Sequence, residues 1–317
     1  MGGAYAVIAL AAEAASLRLG RQVDPHDWRH AQVAATAARI TFACATAGNH
    51  GRSVARGAQQ VGARCVVFVP AGLDAARTQA IARHGARIVR VPRGYDRAVA
   101  EAARTARAQG WTLVSDTSWP GYERVPRLVM QGYVALIAEA MDAVARPPTH
   151  VFVQAGVGGL AAAISAYLSE VHGPARPFLT VVEPDRAACL FESARAGSWT
   201  RLADDRPPTR MTMLDCQAPS RIAWRILSRT ADAFMTVDEA AASEAVDRLS
   251  RPARGDPPLA AGESGAAGLA GLLRLAGDAQ ARAAIGLGAD ARVLLINTEG
   301  PAAPAEAAVA DAAQAQP

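Results

Sequence analysis

Lysine is missing altogether: all 33 basic side chains of the 317-residue chain are arginine. No side-chain amine is available here to form a Schiff base or to act as an amine base. Cysteine is scarce, and Cys44, Cys65, Cys189 and Cys216 stand far apart without a C-x-x-C pair. That pattern predicts reduced, mostly buried thiols in a cytosolic protein. The six histidines form no full ligand set with the scattered cysteines, which argues against a metal site. No block of like charge and no basic stripe interleaved with aromatics occurs, and the formal charge of +4 is small for this length. Nucleic acid is therefore not an expected partner. The apolar start, Met1–Ile8, lacks a basic leader and runs into Glu13 and Arg18, which reads as a helix rather than a signal peptide. No apolar run reads as long enough to span a bilayer, so a cytoplasmic location without a membrane partner is expected.

What the chain does have is apolar surface. Apolar residues make up 51% and charged residues 20%, with heavy use of alanine. At this length two domains, or one large one, can bury a sizeable core. β-Branched, apolar runs occur at 40–45, 65–69, 88–91 and 113–115, separated by helical stretches that end in Gly62, Gly85 and Gly110. This alternation predicts parallel βαβ units with right-handed crossovers. Trp119-Pro120-Gly121-Tyr122 interrupts the rhythm, and a long helix is expected over 126–143. Further strands are expected at 151–154, 179–182 and 293–296, and a helix over 237–249. The expected division is two lobes: 1–45 with 126–300 as the larger, 46–125 as the smaller, and 301–317 as a disordered tail.

Two glycine turns carry the chemistry. In Thr46-Ala47-Gly48-Asn49-His50-Gly51 a strand gives way to a helix expected from Ser53 onward. Such a turn aims backbone N–H groups at whatever lies beyond the strand, which suits an anion. An ordinary βα turn with two convenient glycines explains the same spacing. Gly156-Val157-Gly158-Gly159-Leu160-Ala161 also follows a strand and opens a helix. Read as G-x-G-x-x-A, with Glu183 closing the next strand, it fits a dinucleotide fingerprint and hence a nicotinamide dehydrogenase. Read as a compact cup, it holds a single phosphomonoester. Tight packing alone is a third explanation.

Taken in order, T-x-G-N-H-G, A-G-V-G-G-L at 155–160, G-E-S-G-A at 262–266 and N-T-E-G at 297–300 resemble the fold-type II pyridoxal-phosphate enzymes, the tryptophan synthase β-like group. The segments 114–123, 129–133, 148–158, 182–185 and 255–257 are similar to the diaminopropionate ammonia-lyases within that group. The resemblance extends from Gly2 to Gly300. It implies an α/β, two-lobed fold and pyridoxal 5'-phosphate as cofactor. It also implies a small amino acid as substrate and a homodimer as the assembly. By the same resemblance Gly156, Val157, Gly158, Gly159 and Leu160 cup the cofactor phosphate, and Asn49 bonds the pyridine hydroxyl. Thr298 lies near the ring nitrogen, and Glu263 near the cofactor on the opposite wall. Asp116 matches a carboxylate beside the substrate, an acid/base or an amine anchor; as an isolated residue it could equally cap a strand end. The implied reaction is α,β-elimination of 2,3-diaminopropionate to pyruvate and ammonia.

Two departures from the family pattern bear on activity. The family's Schiff-base lysine, in K-x-L-G-G, aligns before residue 1, so either an N-terminal part is missing from this chain or the chain has diverged. Ala47 also stands where the family turn has an acid/base aspartate, and a methyl group cannot transfer a proton. Impaired or absent activity is expected, with a non-catalytic paralogue that binds the cofactor or an amino acid as the alternative. Borohydride treatment with pyridoxal phosphate present is expected to leave no adduct on any side chain, as read by peptide mass spectrometry. A stable side-chain adduct would contradict this.

Overall fold

The computed structural model describes residues 1–46, 48–92, 94–253 and 255–300. Ala47 and the tail expected at 301–317 lie outside them. The described residues form two compact units, Met1–Asp116 and the chain from Thr117 onward.

The first unit contains a parallel sheet of β1 (Thr41–Ala45), β2 (Arg64–Pro70), β3 (Arg87–Val91) and β4 (Thr112–Leu113), in the order β3-β2-β1-β4. The second contains β5 (His150–Gln154), β6 (Phe178–Pro184), β7 (Ala233–Val237) and β8 (Val293–Leu295), in the order β7-β6-β5-β8. The two sheets therefore share one strand order. In each, the first strand is central and is flanked by the second and the fourth. Every residue of β1 and of β5 is buried, as required of parallel strands covered by helices on both faces. That is why both read as unbroken apolar runs rather than alternating ones.

This pairing corrects the expected lobe boundary. Segment 41–45 does not group with 126–300, because β1 exchanges hydrogen bonds with β2 on one side and β4 on the other. The helix Gly2–Leu19 belongs to the same unit, since it packs on the helix Asn49–Val61. Strand β7 was not expected from the sequence: Ala233 and Met235 are weak strand formers, and the strand is a half-buried edge. Asp232, just before it, is fixed by a bidentate pair with Arg176 at 2.6 and 2.8 Å and by the N–H of Leu179 at 2.7 Å.

The helix Gly2–Leu19 also differs from expectation, being long and apolar enough by length and composition to cross a membrane. In this structure Ala6, Val7, Ala11 and Ala15 are fully buried, a helical spacing that forms one packed face. Small residues let the two helices approach closely: a Cβ on Gly57 would lie 2.7 Å from Ala4 Cα. Gly57→Val should therefore force the helices apart and destabilise the first unit by about 1–3 kcal/mol, the usual cost of overpacking. The measurement is the urea midpoint by circular dichroism, and an unchanged midpoint would refute so close an approach.

Candidate active site

In the first unit the chain leaves the carboxyl end of β1 at Ala45, and Thr46 turns it into a helix. Thr46 Oγ1 accepts the N–H groups of Gly48 at 2.8 Å and Gly51 at 3.1 Å. This side-chain acceptor serves donors at the helix start, so the helix begins at Asn49, ahead of the expected Ser53. Asn49 is exposed in the first turn, whereas His50 is buried. Its ring Nε2–H donates to Val114 O at 2.8 Å, tying the turn after β1 to the segment after β4. Val114 N in turn donates to Ala43 O at 2.7 Å. Two residues on, half-buried Asp116 accepts the Tyr95 hydroxyl on Oδ1 at 2.7 Å. That partner is a side chain and not a backbone N–H, so the strand-end cap is not the role formed here. Tyr95 and His50 were not singled out from the sequence; the partners that identify them are 21 and 64 residues away.

In the second unit the turn after β5 holds Gly156 to Leu160. Gly156 is wedged under the loop 213–216: a Cβ there would meet Cys216 Sγ at 2.9 Å and Met213 O at 3.2 Å. Gly158 has φ +91°, which a residue with a side chain rarely adopts, and its Cβ would lie 3.0 Å from Leu190 Cδ1. The helix Gly159–His172 starts there, and its N-cap residue, Gly158, supplies no side-chain cap. The leading N–H groups of a helix have no partner within it, and the helix dipole adds positive potential. An uncapped start on a glycine turn is therefore suited to a phosphate. Ser220, fully buried, steadies the turn: its N–H donates to Val157 O at 2.9 Å, and its hydroxyl bonds that of Ser118 at 2.8 Å.

The remaining expected residues lie at the neighbouring strand end. Gln154, the last residue of β5, donates through Nε2 to Thr298 Oγ1 at 3.2 Å, bringing Thr298 beside the glycine turn. Glu263 opens the helix Glu263–Ala276, and its carboxylate takes Arg210 at 2.8 Å. That helix start is fastened by Glu299, which accepts the N–H of Gly265 on its carboxylate and that of Gly262 on its carbonyl, both at 3.1 Å. Each unit thus gathers its expected residues at the carboxyl ends of its first and fourth strands. This is where the direction of winding reverses and where open α/β sheets bind ligands. Asn49 and Asp116 flank that point in the first unit; Gly156–Leu160 and Thr298 flank it in the second.

A family model described as pyridoxal-phosphate dependent enzyme matches residues 26–299. Over 306 residues the chain is 36% identical to the diaminopropionate ammonia-lyase of Escherichia coli (strain K12), covering 95% of this chain and 75% of the relative. With the diaminopropionate ammonia-lyase of Salmonella typhimurium it shares 38% over 279 residues, covering 83% and 67%. The chain belongs to the diaminopropionate ammonia-lyase family. Among solved structures, the Escherichia coli enzyme in complex with D-serine is similar with a TM-score of 0.82 at 35% identity, over 94% of this chain and 75% of that one. The expected α/β architecture of the fold-type II pyridoxal-phosphate enzymes is thus the one this ammonia-lyase relative has.

Membership in that family agrees with the environment of Glu183, which the dinucleotide reading required to face a ribose. Glu183 is fully buried, and its two oxygens accept the N–H groups of Leu190 at 2.9 Å and Phe191 at 2.6 Å. It anchors the start of the helix Cys189–Ala196 and is not available to a nucleotide. Burial pushes its carboxyl up to about 8, against the opposing pull of the two N–H donors. Burial likewise raises the thiols of Cys44, Cys189 and Cys65, the last to about 12. All four cysteines are free and buried. The folded chain thus retains a proton on Glu183 that an unfolded chain releases near 4.5. Its stabilising contribution is complete below about pH 4.5 and declines as the pH rises through about 8. Glu183→Gln, neutral throughout, should flatten the dependence of the denaturation midpoint on pH across that window. A slope equal to that of the unsubstituted chain would contradict the burial argument.

Proposed function

We propose that this chain binds pyridoxal phosphate and a small α,β-diamino acid, the substrate class named for its relatives, and that its 317 residues are impaired in the ammonia-lyase reaction. The observation that carries the binding half is the uncapped helix start at Gly158, set behind a glycine that only a bare backbone can fit. The N–H groups of Gly158, Gly159 and Leu160 would hold the phosphate, with Ser220 keeping Val157 in place. The Thr298 hydroxyl and the Asn49 amide would hold the polar edges of the ring. When bound, the cofactor supplies an electron sink for bonds breaking at the substrate's α-carbon. Asp116 would bind the substrate's ammonium group through its carboxylate or accept a proton from it. Glu263, held by Arg210, contributes negative charge at a neighbouring helix start.

The impairment half rests on Ala47, which offers no proton-transfer group where the family turn has an aspartate. A missing general acid or base typically costs about 10²–10⁴-fold in rate. The second reading, a paralogue that binds the cofactor or an amino acid without turnover, is supported by the same alanine. A homodimer and a cytoplasmic location go with the family reading.

Titration with pyridoxal phosphate, followed by absorbance, should give saturable and dialysable binding with the spectrum of a free aldehyde. Gly158→Leu should weaken it at least about tenfold, the scale of losing a charge-assisted hydrogen bond, and no change would move the phosphate elsewhere. A coupled assay for pyruvate from either isomer of diaminopropionate should give no turnover. Rates comparable to those of the relatives would refute the impairment.

A further inference from the structure

Resting on the reading of Asp116 as the anchor for a substrate amine, we propose that Tyr95 is the positioning residue that commits one oxygen of Asp116 and makes the site selective for a second ammonium group. The evidence is geometric. Tyr95 lies in the first turn of the helix Gly94–Gln109, which follows β3 at one edge of the first sheet. Asp116 follows β4 at the opposite edge. The helix crosses back over the sheet, and the Tyr95 hydroxyl donates to Asp116 Oδ1 at 2.7 Å.

The backbone leading into Asp116 is held independently. Val114 O accepts the His50 Nε2–H, and Val114 N donates to Ala43 O, so neither bond depends on Tyr95. His50 and Val114 are themselves buried, at 7% and 0% exposure. With the backbone fixed, what Tyr95 adds is the orientation of the carboxylate. A carboxylate turning freely about its last bond presents either oxygen. A hydroxyl at 2.7 Å holds Oδ1 and leaves Oδ2 to accept a cationic N–H, a bond about twice as strong as a neutral one. The negative charge of Asp116 in turn disfavours an anionic substituent. The ligand class that follows is an amino acid bearing a second, positively charged amine on its side chain, in preference to a neutral or acidic one.

Tyr95→Phe removes the hydroxyl and keeps the ring. The test compares the unsubstituted chain, Tyr95→Phe and Asp116→Asn, all saturated with pyridoxal phosphate, in two measurements. In the first, carbon-13 spectra of protein labelled at the aspartate carboxyl locate the Asp116 resonance by its loss in Asp116→Asn. That resonance should move in Tyr95→Phe while the other aspartate resonances keep their positions. An unmoved Asp116 resonance overturns the proposal whatever the ligand does. In the second, calorimetry measures the dissociation constants of 2,3-diaminopropionate and of 2-aminobutyrate, which lacks the second amine. Tyr95→Phe should weaken diaminopropionate by about three- to tenfold, within the range of one hydrogen bond to a charged group, and leave 2-aminobutyrate unchanged. Equal weakening of both ligands, with the melting temperature lowered, would assign Tyr95 a purely structural role and overturn the proposal. Diaminopropionate binding that is indifferent to Asp116→Asn would instead defeat the amine-anchor reading, and with it the selectivity assigned to Tyr95, while the carboxyl resonance still reports whether Tyr95 positions Asp116.

Discussion

A parallel strand buried on both faces and paired on both sides has no polar group left to offer a ligand. That constraint governs both sheets. The backbone of β1 is consumed by β2 and β4, and that of β5 by β6 and β8. Free N–H groups and reactive side chains can appear only where the ladder stops. The chain stops it at the carboxyl ends, at Thr46–His50 and Ser115–Asp116 in one unit and at Ala155–Leu160 and Asn297–Glu299 in the other. The proposed site residues gather there because the buried interior excludes them.

Each of these exits needs a local device to end the strand and start the next element. After β1 it is a threonine hydroxyl that takes two backbone donors. After β5 it is a pair of glycines, one pressed under Cys216 and one in the left-handed region. Before the helix Glu263–Ala276 it is the carboxylate of Glu299. Among the described residues, the first and third devices bond donors at their helix starts through the side chains of Thr46 and Glu299, whereas the N-cap residue of the glycine turn supplies no side-chain cap. That difference is what favours the glycine turn over the other two helix starts as the proposed phosphate cup.

Charge is handled differently in the interior and on the surface. Glu183 is buried whole and held by two backbone donors, and removing its partners would strand a polar group at large cost. The exposed pairs, such as Arg248 with Glu244 and Arg251 with Asp247, lie one helical turn apart and are screened by water. Each is worth at most a few tenths of a kcal/mol. Having arginine alone as the basic side chain changes little at such surface pairs. Its chemical effect falls on the tasks arginine cannot perform, forming a Schiff base with a carbonyl and acting as an amine base.

The sequence by itself determined the α/β class, seven strand positions to within two residues, both glycine turns and the order of the motifs. Each of these is written in neighbouring residues: apolar runs for strands buried on both faces, glycine and asparagine for turns, and small residues for packed helices. The short strand β4 was legible but set late, by one residue at its start and two at its end, and edge strand β7 was not legible, since half-burial leaves no pattern and its anchor, Arg176, is 56 residues away from Asp232. Only the tertiary structure decided that segment 41–45 belongs to the first sheet, that Glu183 faces two backbone donors rather than a ribose, and that His50 and Tyr95 brace the Asp116 segment. These are contacts between residues far apart in the chain, brought together by crossovers whose strand order is not written in any local stretch. The spacing of a motif reports what its residues can bond; the pairing of distant strands decides which of those bonds are made.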